Sequence, residues 1–329
     1  KIVENVLKEN EINGSAVVMD IKTGEILAMA STPDYEPNNV GDYLNSKNDE
    51  LMNKAIAAYD LGSIFKTIVA AAAIENNIIE DGETFICERQ IESNNSIIKC
   101  ATYSSHENRP ITLEEAFALS CNTTFVKIGT RLGADKILDM AKRMGFSEKQ
   151  CSELLEEKPG YLPTAREEGI GNISIGQGKI QVTPLQVTTM MAAIANNGIK
   201  NMPSIVNSVV DSDSGTTIQT MSRSKPAMVL NTSTVSVLKE MLNAVTTTGT
   251  GKQANLDDFG GSSGKTSSAE TGIKSGEVLH GWFAGFVPSD KPQYAITVFV
   301  YDGKSGGKAA APIFKKIAYQ IFTEYKPVN

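Results

Sequence analysis

The alternation of apolar and polar residues changes character twice along this chain. Near the N-terminus, two alternating apolar runs within residues 15–31 flank the turn sequence K-T-G, a pattern typical of a β-hairpin. The preceding V-L-K-E-N-E-I-N-G indicates the end of a helix that stops at Gly14. Residues 32–60 are polar, contain Pro33 and Pro37, and predict a loop.

Helical periodicity dominates the middle of the chain, starting at Ser63 and continuing to about residue 245. Apolar residues recur at helical spacing in four clear segments, 112-TLEEAFALS, 135-DKILDMAKRMG, 183-TPLQVTTMMAAIANNG and 232-TSTVSVLKEMLNAV. Polar and irregular sequence over residues 80–110 interrupts the helical region. This part of the chain therefore predicts a mainly helical unit.

Strand-like sequence returns after residue 260, followed by a last helix that begins near Pro312. The three predicted strands lie within G-G-S-S-G-K-T-S-S-A-E-T, H-G-W-F-A-G-F-V-P and Q-Y-A-I-T-V-F-V-Y-D-G. Strands at both ends with helices between them predict an α+β fold: an antiparallel sheet of about five strands, built from both termini and flanked by helices, with an inserted helical lobe.

We expect one domain over residues 1–329, with a sheet lobe of about 1–60 and 250–329 and a helical lobe of about 61–249. A cleft between two such lobes is a common place for chemistry.

Composition narrows the classes of function. Of the 329 residues, 41% are hydrophobic and 21% are charged, which is the balance of a globular protein with a real core. The formal net charge of -7 argues against a nucleic-acid partner, which would favour a basic surface. No apolar run is long enough to span a bilayer, and we expect no signal peptide within this sequence. Because the chain begins with Lys1 rather than methionine, we expect a processed piece of a longer protein.

Ser63 and Lys66 stand one helical turn apart, where a buried helix is predicted to begin. Gly62 and Ser63 can be a simple helix cap, but Lys66 is a cation in a first turn, where the helix dipole disfavours it. The apolar run T-I-V-A-A-A-A-I follows, and a desolvated lysine loses affinity for its proton. A neutral amine beside a serine hydroxyl can deprotonate it, so the pair suits a nucleophile and its base.

Two later motifs strengthen this interpretation, because a single S-x-x-K occurs often by chance. Residues 120–122 are S-C-N, after a predicted helix, and residues 265–268 are K-T-S-S, at the start of a predicted strand. S-x-x-K, S-x-N and K-T-x in this order form the motif set of penicillin-binding proteins and serine β-lactamases. Helix capping by Ser120 and Asn122, and an ordinary strand surface at 265–268, are the structural alternatives.

On these motifs the chain resembles the transpeptidase domain of class B penicillin-binding proteins, of the elongation and sporulation type. The resemblance covers nearly the whole chain. It includes the stretches 16-AVVMDIKTGEILAMASTPDYEPN, 59-YDLGSIFKTIVAAAAIE, 119-LSCNTTF, 174-SIGQGKIQVTPLQ and 280-HGWFAGFVP.

The resemblance implies roles for the residues at the first two motifs. Ser63 would be the acylated nucleophile, and Lys66 the base that takes its proton. Ser120 would relay a proton between Lys66 and the leaving amine, and Asn122 would hold both Lys66 and the substrate amide. Catalysis would need no cofactor.

The third motif would bind and polarise the substrate. Lys265 would supply positive potential and help to keep Lys66 neutral, and Thr266 would bind the carboxylate of a substrate or a β-lactam. The backbone N–H groups of Ser63 and Ser268 would form the oxyanion hole. Ser267 replaces the usual glycine of the family, so we expect its side chain either to point away from the cleft or to narrow it and to slow acylation by bulky β-lactams.

Three cysteines and a histidine cluster in the sequence around the second motif. Cys87, Cys100 and His106 fall within twenty residues, and Cys121 lies inside S-C-N. Three thiols and an imidazole suit a closed, structural zinc site, and the resemblance adds that some elongation-type members have zinc in this region. A Cys87–Cys100 disulfide, or unpaired cysteines with a surface histidine, are the alternatives.

Three further residues are assigned no role in catalysis. Cys151 has no partner in view, and His280 and Trp282 are expected to pack in the sheet.

The favoured function is a D,D-transpeptidase that acts on peptidoglycan stem peptides ending in D-Ala-D-Ala and is inhibited by β-lactam antibiotics. The parent would work at the extracytoplasmic face of a bacterial membrane, held by an anchor outside this sequence, with other cell-wall synthesis proteins as further partners. A D,D-carboxypeptidase or a β-lactamase is one alternative, although we identify no clear E-x-x-x-N candidate for a deacylating base. A β-lactam-sensing or scaffold domain is another.

Overall fold

The structure is a computed structural model that describes residues 1–94, 96–221, 224–271 and 278–325. Its α-helices are α1 (Ile2–Glu9), α2 (Lys66–Glu75), α3 (Leu113–Ala118), α4 (Asn122–Leu132), α5 (Ala134–Arg143), α6 (Ile170–Ile175), α7 (Pro184–Ala195), α8 (Thr232–Thr247) and α9 (Ala311–Glu324). Short 3₁₀ turns occupy Pro37–Tyr43, Gly62–Phe65, Tyr103–Ser105, Lys252–Ala254 and Asp257–Phe259, and one π turn occupies Gly306–Ala310. Within these ranges, none of the helices combines the length and apolar character that a bilayer crossing requires.

One five-stranded antiparallel sheet organises the fold, in the order β13-β14-β15-β1-β2. Smaller two-stranded pairs surround it. The strands are β1 (Gly14–Asp20), β2 (Ile26–Thr32), β3 (Tyr59–Asp60), β4 (Phe85–Ile86), β5 (Gln90–Ser93), β6 (Ser96–Lys99), β7 (Pro110–Ile111), β8 (Gln181–Val182), β9 (Ile199–Lys200), β10 (Ser208–Val210), β11 (Thr217–Thr220), β12 (Ala227–Met228), β13 (Ser263–Glu270), β14 (Leu279–Val287) and β15 (Tyr294–Val300).

Both faces of the sheet are buried, because successive side chains of a strand point to opposite faces. In β14, Trp282 packs in the core shared with the central helices, whereas Phe283 packs in a second core beneath α9. Helices α2 and α7 have buried residues on all sides, so they lie inside the protein rather than on its surface. The sheet and these central helices thus form a rigid support for the segments between them.

The α+β fold predicted from the sequence is confirmed, including a sheet built from both ends of the chain. The predicted hairpin of residues 15–31 is β1–β2, and the last helix is α9. The helix stop at Gly14 is wrong: α1 ends at Glu9, and Gly14 begins β1. A side chain at Gly14 would collide with the carbonyl of Phe299 in β15, so close strand pairing explains this glycine. The lobe boundaries near residues 60 and 250 stay a prediction.

Candidate active site

The turn before α2 positions Ser63. Gly62 has φ +63°, a conformation that favours glycine, and its N–H donates to the Gly176 carbonyl at 2.9 Å. The 3₁₀ turn Gly62–Phe65 has no side-chain cap, so the alternative that Ser63 caps a helix is wrong. Its hydroxyl is available to Lys66, the first residue of α2.

The Lys66 amine links the first two motifs. Its Nζ lies 2.8 Å from Ser63 Oγ, 2.7 Å from Asn122 Oδ1 and 3.2 Å from both the hydroxyl and the carbonyl oxygen of Ser120. Lys66 is fully buried, and burial lowers the pKa of its amine to about 8. The sequence prediction of a desolvated lysine one turn from a serine therefore has a clear structural counterpart.

The partners of Lys66 can accommodate a neutral amine whose lone pair faces Ser63. A neutral amine has two N–H donors and one lone pair. The amide oxygen of Asn122 and the backbone carbonyl of Ser120 can only accept hydrogen bonds, so they suit the two donors. The lone pair is then directed at the Ser63 hydroxyl, which is the geometry that a general base requires.

Ser120 is held in a strained conformation at the end of α3. Its φ of +57° lies in the left-handed region, which costs a residue other than glycine about 1–3 kcal/mol. The Ser120 N–H donates to the Phe117 carbonyl at 3.0 Å, and the Cys121 N–H donates to the Ala116 carbonyl at 2.8 Å. These two bonds form a Schellman motif, in which glycine is usual at the position of Ser120. The motif turns the carbonyl and hydroxyl of Ser120 toward Lys66.

Asn122 connects the amine to a second wall of the cleft. It is the first residue of α4, whose cap position carries no side-chain hydrogen bond, so capping does not explain Ser120 or Asn122. The Asn122 Nδ2 donates to the Lys99 carbonyl at 2.8 Å. Through this bond, the β5–β6 hairpin is fixed beside the second motif.

Lys265 is the second fully buried lysine of the site. Its Nζ lies 5.3 Å from the centre of the Phe117 ring, and the described residues offer it one long hydrogen bond, 3.5 Å to the Thr266 carbonyl. Burial, and then the charge of Lys66, hold the pKa of Lys265 well below its usual value. The charge on Lys66 thus disfavours a second charge on Lys265.

The third motif lines one wall of a cleft that contains Ser63 and Ser120 on the other side. Thr266 contacts Thr250 hydroxyl to hydroxyl at 2.6 Å. Thr250 follows α8, donates its N–H to the Ala118 carbonyl at 3.1 Å, and was missed by the sequence analysis. Its only sequence signal is the glycine-flanked T-G-T-G-K after a helix.

The Ser267 side chain is directed at the turn that carries the nucleophile. The Ser267 Oγ lies 2.5 Å from the position that a Cβ atom would occupy on Gly62. This buried hydroxyl has no hydrogen-bond partner among the described residues. Of the two expectations for Ser267, the structure thus favours a side chain that points behind Ser63 and away from the open cleft.

We expect Ser267→Gly to raise acylation by bulky β-lactams about two- to fivefold, because it frees the Gly62 turn from a contact that limits its movement, worth roughly 0.5–1 kcal/mol. Stopped-flow acylation rates with a small and a bulky cephalosporin measure the effect. Ser267→Ala is the comparison variant: it removes the same Oγ but keeps a Cβ, so it should share most of the gain, and loss of the unpaired buried hydroxyl should raise the free energy of unfolding by about 1 kcal/mol. Equal acylation rates in Ser267→Gly and the native chain would count against this role.

The predicted cysteine and histidine residues come together next to the second motif. The ligand atoms of Cys87, Cys100, His106 and Cys121 lie within 4.8 Å of one another, and all four residues are buried. The thiols are free, so the Cys87–Cys100 disulfide is wrong, and the burial of His106 rules out the surface histidine. Cys100 donates to Cys121 over 3.8 Å, which lowers the pKa of Cys121 to about 7.

The three residues that were assigned no role in catalysis lie outside the catalytic site. Cys151 is buried and donates to Glu153 Oε2 at 2.9 Å. The ring of His280 packs edge-on to Tyr59 at 5.6 Å, and burial lowers its pKa to about 4. Trp282 is fully buried in the sheet and donates its indole N–H to the Asp60 carbonyl.

The E-x-x-x-N spacing does occur beside the cleft, at Glu168 and Asn172, and was overlooked in the sequence. Asn172 lies on the cleft wall and donates to Glu168 Oε1 at 2.8 Å. The Glu168 carboxylate also accepts from the N–H groups of Gly169 and Lys179. It therefore braces the turn around Gly178, and these bonds leave it poorly suited to activating water at Ser63.

Comparisons with known proteins support the identification of this cleft as an active site. Residues 14–319 match the family described as Penicillin binding protein transpeptidase domain. The chain is 31% identical to Stage V sporulation protein D of Bacillus subtilis, with 92% of this chain and 48% of that protein covered. It is 30% identical to the peptidoglycan D,D-transpeptidase PbpA of Mycolicibacterium smegmatis, with 91% and 65% covered. The chain thus spans about half to two thirds of the length of these relatives.

A solved structure of penicillin-binding protein A from Mycobacterium tuberculosis, a penicillin G acyl-enzyme complex, superposes with a TM-score of 0.87. The two are 26% identical, and the match covers 98% of this chain and 78% of that one. The resemblance seen in the sequence is confirmed, and the chain belongs to the penicillin-binding protein transpeptidase domain family.

Proposed function

We propose that this domain is a D,D-transpeptidase that cross-links peptidoglycan stem peptides through an acyl-enzyme on Ser63. The observation that carries the proposal is the position of Lys66 Nζ, within 3.2 Å of Ser63, Ser120 and Asn122 and shielded from water. A buried amine in contact with a serine hydroxyl and a second hydroxyl can accept one proton and pass it on.

In the first half-reaction, Ser63 Oγ attacks the carbonyl carbon of the penultimate D-alanine while its proton moves to Lys66. The N–H groups of Ser63 and Ser268 stabilise the oxyanion. The proton then passes through Ser120 to the departing amine, the C–N bond breaks, and the terminal D-alanine leaves. An ester to Ser63 remains.

In the second half-reaction, the amine of a neighbouring stem attacks the ester carbon. Lys66 takes the proton from this amine and returns it to Ser63 Oγ as the C–O bond breaks. Before the first half-reaction, Thr266 binds the terminal carboxylate of the intact donor, and Asn122 orients its amide. A β-lactam acylates Ser63 by the same attack on its ring carbonyl.

A donor peptide ending in D-Ala-D-Ala, incubated with an amine acceptor, tests the proposal. Mass spectrometry of the products should show the cross-linked peptide and one equivalent of free D-alanine. Hydrolysed donor alone would favour a carboxypeptidase. Fast turnover of a chromogenic cephalosporin would favour a β-lactamase, and a stable penicillin adduct without D-alanine release would favour a sensing or scaffold domain.

The location of peptidoglycan indicates where the parent protein would act. Peptidoglycan is cross-linked outside the cytoplasm, so we propose that the parent acts at the extracytoplasmic face of a bacterial membrane. We further propose that an anchor preceding this sequence holds it there, among other cell-wall synthesis proteins.

We also propose that Cys87, Cys100, His106 and Cys121 hold a structural Zn²⁺. Tetrahedral zinc with sulfur ligands at about 2.3 Å separates the sulfurs by about 3.8 Å, and the Cys100 and Cys121 sulfurs are 3.8 Å apart. The His106 Nε2 lies 3.8 Å from the Cys100 sulfur, while its Nδ1 faces the Ser105 hydroxyl at 3.0 Å, which suits a metal-binding imidazole. Cys121 lies between Ser120 and Asn122, so these four residues brace the second motif.

We expect the purified protein to contain about one zinc per chain, and Cys87→Ser to lose it. Loss of zinc should lower the Tm by about 5–10 °C, because a ligand present at about 100 times its Kd adds roughly 2.7 kcal/mol. Elemental analysis and thermal scans, with and without chelator, measure both. Cys151→Ser is the matched control and should keep its zinc. Native protein that is purified without zinc would contradict the proposed zinc site.

A further inference from the structure

The cleft beside Ser63 carries opposite charges at its two ends. Within the described part of the chain its charged lining consists of Lys99, Lys252, Lys308 and Glu270. None of these four residues forms an ion pair with a described residue. Unpaired charges that face a substrate cleft are available to recognise charge on the substrate.

Lys252 and Lys308 belong to the end of the cleft marked by the threonine hydroxyls, whereas Lys99 lies on β6 beside Asn122. Lys252 follows Thr250 by two residues, and Lys308 follows Gly307, which packs against Thr250 and Thr266. This end is the cationic one and suits the terminal carboxylate of the donor. The rest of the donor then extends along β13 toward Glu270.

The side chain of Glu270 lies on the same face of β13 as those of Thr266 and Ser268, because strand residues alternate in direction. Ser268 and Glu270 are exposed, whereas Ala269 between them is buried. β13 is the edge strand of the sheet, so an extended peptide can lie beside it. Four residues of strand separate Thr266 from Glu270, which is about 14 Å at 3.4 Å per residue.

A stem peptide matches this span. From its terminal carboxylate to the α-carbon of its third residue, an extended donor covers about 7 Å of this span. The remaining distance of about 7 Å lies within the combined reach of a lysine-like side chain, about 6 Å long, and the Glu270 side chain, if both lean along the strand. Resting on the function proposed above, we propose that Glu270 is a specificity residue that binds the free side-chain ammonium of the third residue of the donor stem.

The experiment compares kcat/KM for D-alanine release from three matched donor peptides whose third residue is L-lysine, Nε-acetyl-L-lysine or meso-diaminopimelate. We expect the native protein to prefer lysine over acetyl-lysine by about two- to fivefold, the range of exposed ion pairs. Diaminopimelate carries a carboxylate on the same carbon as its amine, which Glu270 would repel, so it should be used less well than lysine. Glu270→Gln should abolish the preference, and Glu270→Lys should reverse it, mainly through KM.

Control variants separate this effect from a general change of charge. Glu9→Gln, on α1, should leave the preference unchanged, and Lys252→Gln with Lys308→Gln should raise KM equally for the lysine and acetyl-lysine donors. Equal kcat/KM for these two donors in the native protein, or an unchanged preference in Glu270→Gln, would overturn the inference. A complete lack of D-alanine release from all three peptides would instead contradict the proposed transpeptidase function.

Discussion

Ser63→Ala is expected to abolish both the covalent penicillin adduct and the release of D-alanine, with activity falling by a factor on the order of 10⁵ or more. Ser63 supplies the oxygen to which the acyl group binds, and a methyl group cannot replace it. The small hydroxyl is half-buried at the start of α2, and its loss should leave the fold intact. Intact-protein mass spectrometry after incubation with penicillin, followed by peptide mapping, measures the adduct.

Replacement of an exposed serine outside the site provides the control for Ser63→Ala. Ser212 is exposed in the loop between β10 and β11, and Ser212→Ala should be acylated at the native rate. Far-ultraviolet circular dichroism of both variants should match the native spectrum. An adduct that maps to a peptide without Ser63, or persistent acylation of Ser63→Ala, would refute the assignment of the nucleophile.

Lys66→Met is expected to slow acylation by about 10²- to 10⁴-fold, the usual contribution of a positioned general base. Methionine fills a similar buried space and removes the amine. The variant should keep its penicillin site, so that slow acylation remains measurable at long times. A loss below tenfold would show that another group accepts the Ser63 proton.

The pH dependence provides a second readout for Lys66. Its pKa is lowered to about 8 by burial, and the neutral amine is the active form. The acylation rate should therefore rise about tenfold per pH unit from pH 6 to pH 7.5 and level off above pH 8. Lys66→Met should lose this slope, whereas Lys47→Met, an exposed lysine, should retain it. A flat profile in the native protein would contradict a neutral lysine base.

Lys265 is expected to influence the pH dependence of acylation as well, because its amine is buried in the same site as that of Lys66. Burial, and then the charge of Lys66, hold the pKa of Lys265 well below its usual value. The sequence predicts that Lys265 in turn helps to keep Lys66 neutral. Replacing Lys265 by methionine tests this prediction: an upward shift of the midpoint of the pH profile would support it, and an unchanged midpoint would contradict it.

Local sequence patterns predicted the elements well wherever a pattern of several residues repeated. The β1–β2 hairpin follows from alternation around K-T-G, and α7 from an apolar run that begins with a capping box at Thr183 and Gln186. Single glycines were less informative. Gly14 was assigned to a helix end, although its role depends on the approach of Phe299 from nearly three hundred residues away, a contact that no local pattern contains.

By itself, the sequence determined the α+β class, the order of the three motifs and the one-turn spacing of Ser63 and Lys66, because these depend on neighbours along the chain. Only the tertiary structure decided which distant groups meet at Lys66. The left-handed turn at Ser120, the Thr250–Thr266 contact, the direction of Ser267 and the gathering of the cysteines around His106 all arise where the sheet packs against α2, α3 and α4. Packing brings together residues that are far apart in the sequence, such as Gly62 and Ser267, and such contacts leave no periodic trace in the sequence.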